Sequence, residues 1–162
     1  MSNFKKEFCL KLIFLISLVS IFSAYFIEYF LGYQPCNLCI IERIPYLLCL
    51  IIILINYKFR KYEKYLIITL IFLFIFSLII SIYHFGIEQG FFQESLICNV
   101  SDGADIISKE QLLIELQKKI ISCKDVTFRF FGISLTSINI IISLIILFLL
   151  TKVLINYEKN KY

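Results

Sequence analysis

Six cysteines stand in this chain of 162 residues, and four of them have the types and spacing for sulfur chemistry. Cys36 and Cys39 form a C-x-x-C pair in Pro35-Cys36-Asn37-Leu38-Cys39, whereas Cys98 and Cys123 are separated by a segment with its own helical signals. A C-x-x-C pair closes a very small ring, and such pairs occur where a dithiol must cycle between thiols and disulfide. A purely structural bridge and a zinc site are the competing readings. Zinc asks for two more ligands at matching spacing, but Cys98 and Cys123 lie far apart and no His is near them in sequence, so no metal is expected. Two dithiols on one face of a membrane suggest a relay in which thiolate attack passes a disulfide from one pair to the other. Cys9 and Cys49 fall near or inside apolar windows, where Cys acts as a small hydrophobe, and are given no role.

Beside the first pair stands Arg43, four residues after Cys39 and on one face with it in any helical turn. Pro45 is unstrained only in a helix's first turn, so the helix is expected to start at Glu42 or later, with Cys39 just before it. A helix N-terminus and a guanidinium both stabilise a thiolate. An Arg at the membrane edge is costly and marks a functional site by default; anchoring to headgroups or pairing with Glu42 is the plainer alternative. His84, the one His, closes an apolar stretch in Tyr83-His84-Phe85-Gly86-Ile87-Glu88 and can donate a hydrogen bond or supply a proton. Two electrons leaving a dithiol at a lipid boundary need a lipid-soluble acceptor. A quinone meets that need, with Arg43 and His84 as the candidates to stabilise its oxygens.

The elements that must position these groups are membrane helices. Hydrophobic residues make up 60% of the chain and charged residues 17%, against about half and a quarter in soluble domains, which excludes a water-soluble globule. Four apolar windows predict spans at about 10–29, 42–58, 65–87 and 130–152 of a single integral membrane domain, residues 1–162. The second window is short, so its span must recruit the turn upstream and draw Cys39 toward the membrane surface. The first is read as a retained anchor, because it is long for a signal peptide and lacks a small-residue cleavage site.

Charge sets the orientation. Residues 1–11, 58–64 and 152–162 carry ten Lys and Arg against three Asp and Glu, a balance of +7; the rest carries six against nine, or −3, which together give the net +4. By the positive-inside rule both termini are cytoplasmic, and two outer loops, about 30–41 and 88–129, hold all four chemically placed cysteines. With the basic residues explained as flanks of membrane helices, a nucleic-acid surface is not expected. The outer side of a bacterial envelope is oxidising, so two disulfides are the default there. Ser108 and Gln111 form a capping-box pattern before Leu112, Leu116 and Ile120, which predicts a short amphipathic helix in the second loop, lying on the outer leaflet or packed on the bundle. The fold class is therefore all-α, a four-helix transmembrane bundle.

The chain resembles the disulfide bond formation protein B (DsbB) family along nearly its whole length. The resemblance rests on Gln34-Pro35-Cys36-Asn37-Leu38-Cys39-Ile40-Ile41-Glu42-Arg43-Ile44-Pro45-Tyr46, on Tyr83 to Gly90, and on Cys123 followed by Phe128-Arg129-Phe130-Phe131-Gly132-Ile133-Ser134-Leu135. It implies a bacterial inner-membrane enzyme that reoxidises a periplasmic DsbA-like thioredoxin-fold oxidase and passes the electrons to ubiquinone or menaquinone. Carried over, Cys98 forms the mixed disulfide with the partner, Cys123 exchanges with Cys36, and Cys39 lies against the quinone beside Arg43; His84 matches one branch of the family. Phe128 stands where many relatives have Trp, and Lys124 where an acidic residue often follows the Cys. Vitamin-K-epoxide-reductase-like enzymes also join a bundle to C-x-x-C and quinone, but late in the chain. A non-enzymatic scaffold with structural disulfides has nothing to match the run from Pro35 to Tyr46.

Overall fold

The structure, a computed structural model, describes residues 3–93, 123, 128–130 and 132–159. Cys98, Lys124 and the expected amphipathic helix around 108–120 lie outside the described residues. Helix α1 runs over Asn3–Tyr29, α2 over Asn37–Ile41, α3 over Ile44–Lys58, α4 over Glu63–Glu88 and α5 over Leu135–Lys159; a short 3-10 turn, Arg60–Tyr62, joins α3 to α4. Four stretches are long and apolar enough to cross a membrane: Lys6–Tyr29, Asn37–Lys58, Glu63–Glu88 and Leu135–Tyr157. At 1.5 Å per residue they reach about 33 to 39 Å, enough for a hydrocarbon core of about 30 Å. In lipid the backbone must satisfy its own polar groups, and unbroken Ile, Leu and Phe runs do that as helices.

The bundle is inverted relative to a soluble protein. Large apolar side chains such as Phe22, Phe72, Phe76 and Phe148 point outward, while Ser17, Ser77, Ser81, Thr136 and Ser143 are buried between helices. Small and hydroxyl residues let membrane helices approach closely and bond across the gap. Ser77 and Ser143 join α4 to α5 at 3.5 Å, and the Ser17 hydroxyl donates to Cys49 Sγ at 3.5 Å between α1 and α3. That bond accounts for Cys49 as a packing residue. The central core gathers Ile13, Tyr46, Cys49, Ile53, Leu70, Phe74, Ile146 and Leu150, drawn from all four spans. Helix α4 packs most extensively on α5, and α1 on α3. Near the N-terminus, Lys6 pairs with Glu63 at 2.9 Å and ties α1 to the start of α4.

Two local features depart from the sequence reading. Cys39 precedes α3, which starts at Ile44 as Pro45 requires, but it lies in a short helix of its own, α2, whose N-cap is Cys36, and the Cys39 amide donates to Cys36 Sγ at 3.3 Å. Pro45 lies in the first turn of α3, as its missing N–H requires, and Glu42–Arg43 form the joint between the two helical pieces. The sulfur at a helix N-terminus is thus that of Cys36. The fourth span begins at Leu135 and not near residue 130, because a small antiparallel hairpin precedes it. Strand β1, Arg129–Phe130, pairs with β2, Ile133–Ser134, with Arg129 opposite Ser134. Gly132 has φ 82°, the left-handed conformation the tight turn needs and glycine adopts freely. Ser134 Oγ then accepts the Ser137 amide at 3.3 Å and caps α5.

Candidate redox site and apolar cavity

Cys36 and Cys39 lie at one end of the bundle, where α2 bends into α3. Their sulfurs are 2.7 Å apart, close to the length of a disulfide bond, about 2.05 Å. Cys36 is buried and Cys39 half-buried. Cys123 is also buried, and it shares one cluster with Cys36, Leu38 and Ile87, against which Cys39 and Tyr83 pack. The fold therefore brings three of the four sequence-selected cysteines together across more than eighty residues of chain.

His84 reaches this cluster from α4. Its Nε2 lies 3.5 Å from Cys36 Sγ, and its Nδ1 lies 3.0 Å from Glu42 Oε1 and 3.3 Å from Thr136 Oγ1. A carboxylate only accepts, so a neutral imidazole donates its Nδ1–H to Glu42 and presents the Nε2 lone pair to the thiol. The ring is thereby aimed at sulfur, and it can take a proton from Cys36 as that thiol becomes a thiolate. A buried carboxylate in a membrane protein must be compensated. Glu42 is only 8% exposed, and besides His84 its Oε2 accepts the Asn139 amide at 3.1 Å. Asn139 also donates to Ser81 Oγ at 2.7 Å and accepts from the Tyr46 hydroxyl, which in turn lies 3.4 Å from Ser143 Oγ. On the other side, Thr136 donates to Glu88 at 2.6 Å. A continuous polar network thus runs from Cys36 through His84 and Glu42 to the middle of α5.

Arg43 turns the other way. It pairs with Glu28 on α1 and lies over the Tyr25 ring at 5.1 Å, so the partner is Glu28 and not the adjacent Glu42. A cavity of about 660 Å³ opens beside it. Its polar end is formed by Cys39, Glu42, Arg43, Tyr46 and Asn139, and Phe22, Phe26 and Ile142 are among the apolar residues along the rest. Phe128 also lines the cavity and packs edge-on against Tyr33 at 5.1 Å. Cys36 and His84 are not among the lining groups; they stand behind Cys39 and Glu42.

Of the sequence-selected residues, Cys36, Cys39, Cys123, Arg43 and His84 converge here, while Cys98 lies outside the described residues. Sequence reasoning missed Glu42 as the partner of His84, Glu28 as the partner of Arg43, and Asn139 altogether. Asn139 carried a usable signal, as an amide within an otherwise apolar span, where a polar group is a site candidate by default. The carboxylate partners carried none, because pairing across helices depends on rotation about their axes.

Residues 6–153 match the family described as "Disulfide bond formation protein DsbB". An uncharacterized protein of Rickettsia prowazekii (strain Madrid E) is 33% identical over 150 residues, covering 90% of this chain and 86% of that one. No solved structure matches. With the match extending over all four spans and through the C-x-x-C joint, the chain belongs to the DsbB family, membrane proteins of disulfide-bond formation.

Proposed function

We propose that this chain is an inner-membrane protein thiol:quinone oxidoreductase that reoxidises a periplasmic, DsbA-like thioredoxin-fold oxidase. The observation that carries this reading is the position of Cys39 at the boundary between a buried sulfur cluster and a lipid-compatible cavity. The cavity's residues fit a quinone: the polar groups of Glu42, Arg43, Tyr46 and Asn139 for carbonyl oxygens and a largely apolar lining elsewhere for an isoprenoid tail. Bound there, a quinone accepts two electrons and two protons.

The chain's own residues account for the rest. The partner's two thiols reduce the Cys98–Cys123 disulfide through a mixed disulfide at Cys98, so the partner leaves oxidised. Cys123, buried beside Cys36, then attacks the Cys36–Cys39 disulfide, and resolution by Cys98 restores the Cys98–Cys123 bond and leaves Cys36 and Cys39 as thiols. Reoxidation of that pair releases two electrons and two protons. His84, held by Glu42, takes a proton from Cys36, and Arg43 at the cavity's polar end stabilises negative charge on the Cys39 sulfur and on a bound oxygen.

The test is oxidation of a reduced thioredoxin-fold dithiol by the purified chain across a quinone concentration series. The proposal requires a rate that saturates with quinone and vanishes without it. A rate independent of quinone overturns it.

A further inference from the structure

The same cluster has donor chemistry that electron transfer alone does not use. Cys36 Sγ, Cys39 Sγ and a ring nitrogen of His84 all lie within 4.8 Å of one another. The sequence discourages a metal because Cys98 and Cys123 lie far apart with no His near them along the chain; the fold instead brings His84 to the C-x-x-C pair from α4.

We infer that in the reduced chain Cys36, Cys39 and His84 form a binding site for a thiophilic divalent cation, Zn²⁺, which competes with the disulfide for the same two sulfurs. Four features carry this. Tetrahedral zinc, with Zn–S about 2.3 Å and Zn–N about 2.0–2.1 Å, places S and N about 3.5 Å apart, and Cys36 Sγ and His84 Nε2 are 3.5 Å apart already. The two sulfurs, 2.7 Å apart, need to open to about 3.8 Å. Cys39 borders the cavity, the side from which an ion and a water as fourth ligand would reach the sulfurs. The outer partner is also present: Glu42 holds Nδ1 at 3.0 Å and Thr136 stands at 3.3 Å, the carboxylate–histidine arrangement that fixes the ring of a metal ligand.

Donor type sets the class of ion. Two thiolates and an imidazole suit zinc and disfavour Mg²⁺ or Ca²⁺, which want oxygen. Charge balances, because each thiol gives up its proton on binding and the two thiolates neutralise the ion. A Cys36–Cys39 disulfide has no thiolate to offer, so the oxidised chain does not bind. Zinc therefore holds the dithiol reduced and stops electron flow through it. The site stands on geometry and does not depend on which electron acceptor the cavity takes.

The experiment uses the full-length chain in detergent, with Cys9, Cys49, Cys98 and Cys123 replaced by Ala so that other thiols add no signal. Co²⁺ serves as the spectroscopic probe, followed by displacement with Zn²⁺. The reduced chain is expected to bind one Co²⁺ with thiolate charge-transfer and tetrahedral bands, and one Zn²⁺ to abolish them; the disulfide form shows neither. Loss of an outer partner costs about 10- to 100-fold in affinity, so Glu42→Gln is expected to weaken zinc by that amount and His84→Ala by more. Circular dichroism confirms that each variant keeps its helices, and Cys39→Ser supplies a second ligand deletion should His84→Ala fail to fold. Equal affinity of reduced and oxidised chains, an octahedral spectrum, or parent affinity in either ligand variant overturns the site. Failure here with quinone-dependent oxidation intact removes the metal site alone; zinc binding without quinone-dependent oxidation removes the oxidase reading alone.

Discussion

Replacing Arg43 by Gln is the perturbation that best separates a catalytic guanidinium from a structural one. Its side chain is 14% exposed and that of its partner Glu28 22%, so both charges are largely withdrawn from water. A hydrogen bond to a charged group contributes about 1.5–3 kcal/mol, and each 1.4 kcal/mol is tenfold, so losing one to a bound oxygen weakens quinone use about 10- to 100-fold. The complication is Glu28, which Arg43→Gln leaves uncompensated beside the cavity. A cycle with Glu28→Gln resolves this. Glu28→Gln leaves the Arg43 donor in place and its amide oxygen can still accept from the guanidinium, so Glu28→Gln alone is expected to change quinone use by less than about tenfold. The double variant is expected to stay close to Arg43→Gln, because restoring neutrality does not restore the donor. Arg43→Lys keeps the charge without the planar fork and recovers only part of the loss. The assay is partner-dithiol oxidation against quinone concentration, giving kcat and KM for each variant, with circular dichroism as the folding control. Should the double variant regain the parent's quinone dependence, Arg43 serves only to neutralise Glu28, and the oxygen contact must be sought at Tyr46 or Asn139.

Three further outcomes are expected. Cys36→Ser and Cys39→Ser each abolish turnover, while Cys9→Ala and Cys49→Ala retain it; a Cys49 variant as inactive as Cys39→Ser shows that a buried thiol was wrongly assigned to packing. Cys123→Ala deprives Cys98 of its resolving thiol, so non-reducing gels show a mixed disulfide with the thioredoxin-fold partner, and trapping through Cys36 instead reverses the assigned order. Gly86→Ala places a Cβ 2.2 Å from the Phe92 ring, which stacks on Tyr83 at 5.7 Å. Overpacking of that kind costs about 1–3 kcal/mol, visible as a lower Tm in detergent, and adding Phe92→Ala recovers part of it; an unchanged Tm means that Phe92 swings aside freely.

The spans were legible because membrane insertion is a one-dimensional property: a run of about 20 apolar residues must cross whatever its neighbours do. Four windows therefore became four helices, and the short second window recruited residues back to Asn37. The C-x-x-C pair was equally plain, since three residues of spacing keep Cys36 and Cys39 together in any fold. Partnership across helices was not legible. Ser77, Ser81 and His84 on α4 and Thr136, Asn139 and Ser143 on α5 recur at helical spacing and mark an inward face, but which side chains meet across it depends on helix rotation and axial register. Those are set by close packing around Ser17, Ser77, Ser81 and Ser143. Packing gave His84 to Cys36 and Glu42, gave Arg43 to Glu28, and put Asn139 between Glu42 and Tyr46. It also brought Cys123 into the Cys36 cluster, a contact that closes a loop of more than eighty residues and leaves no trace in local spacing.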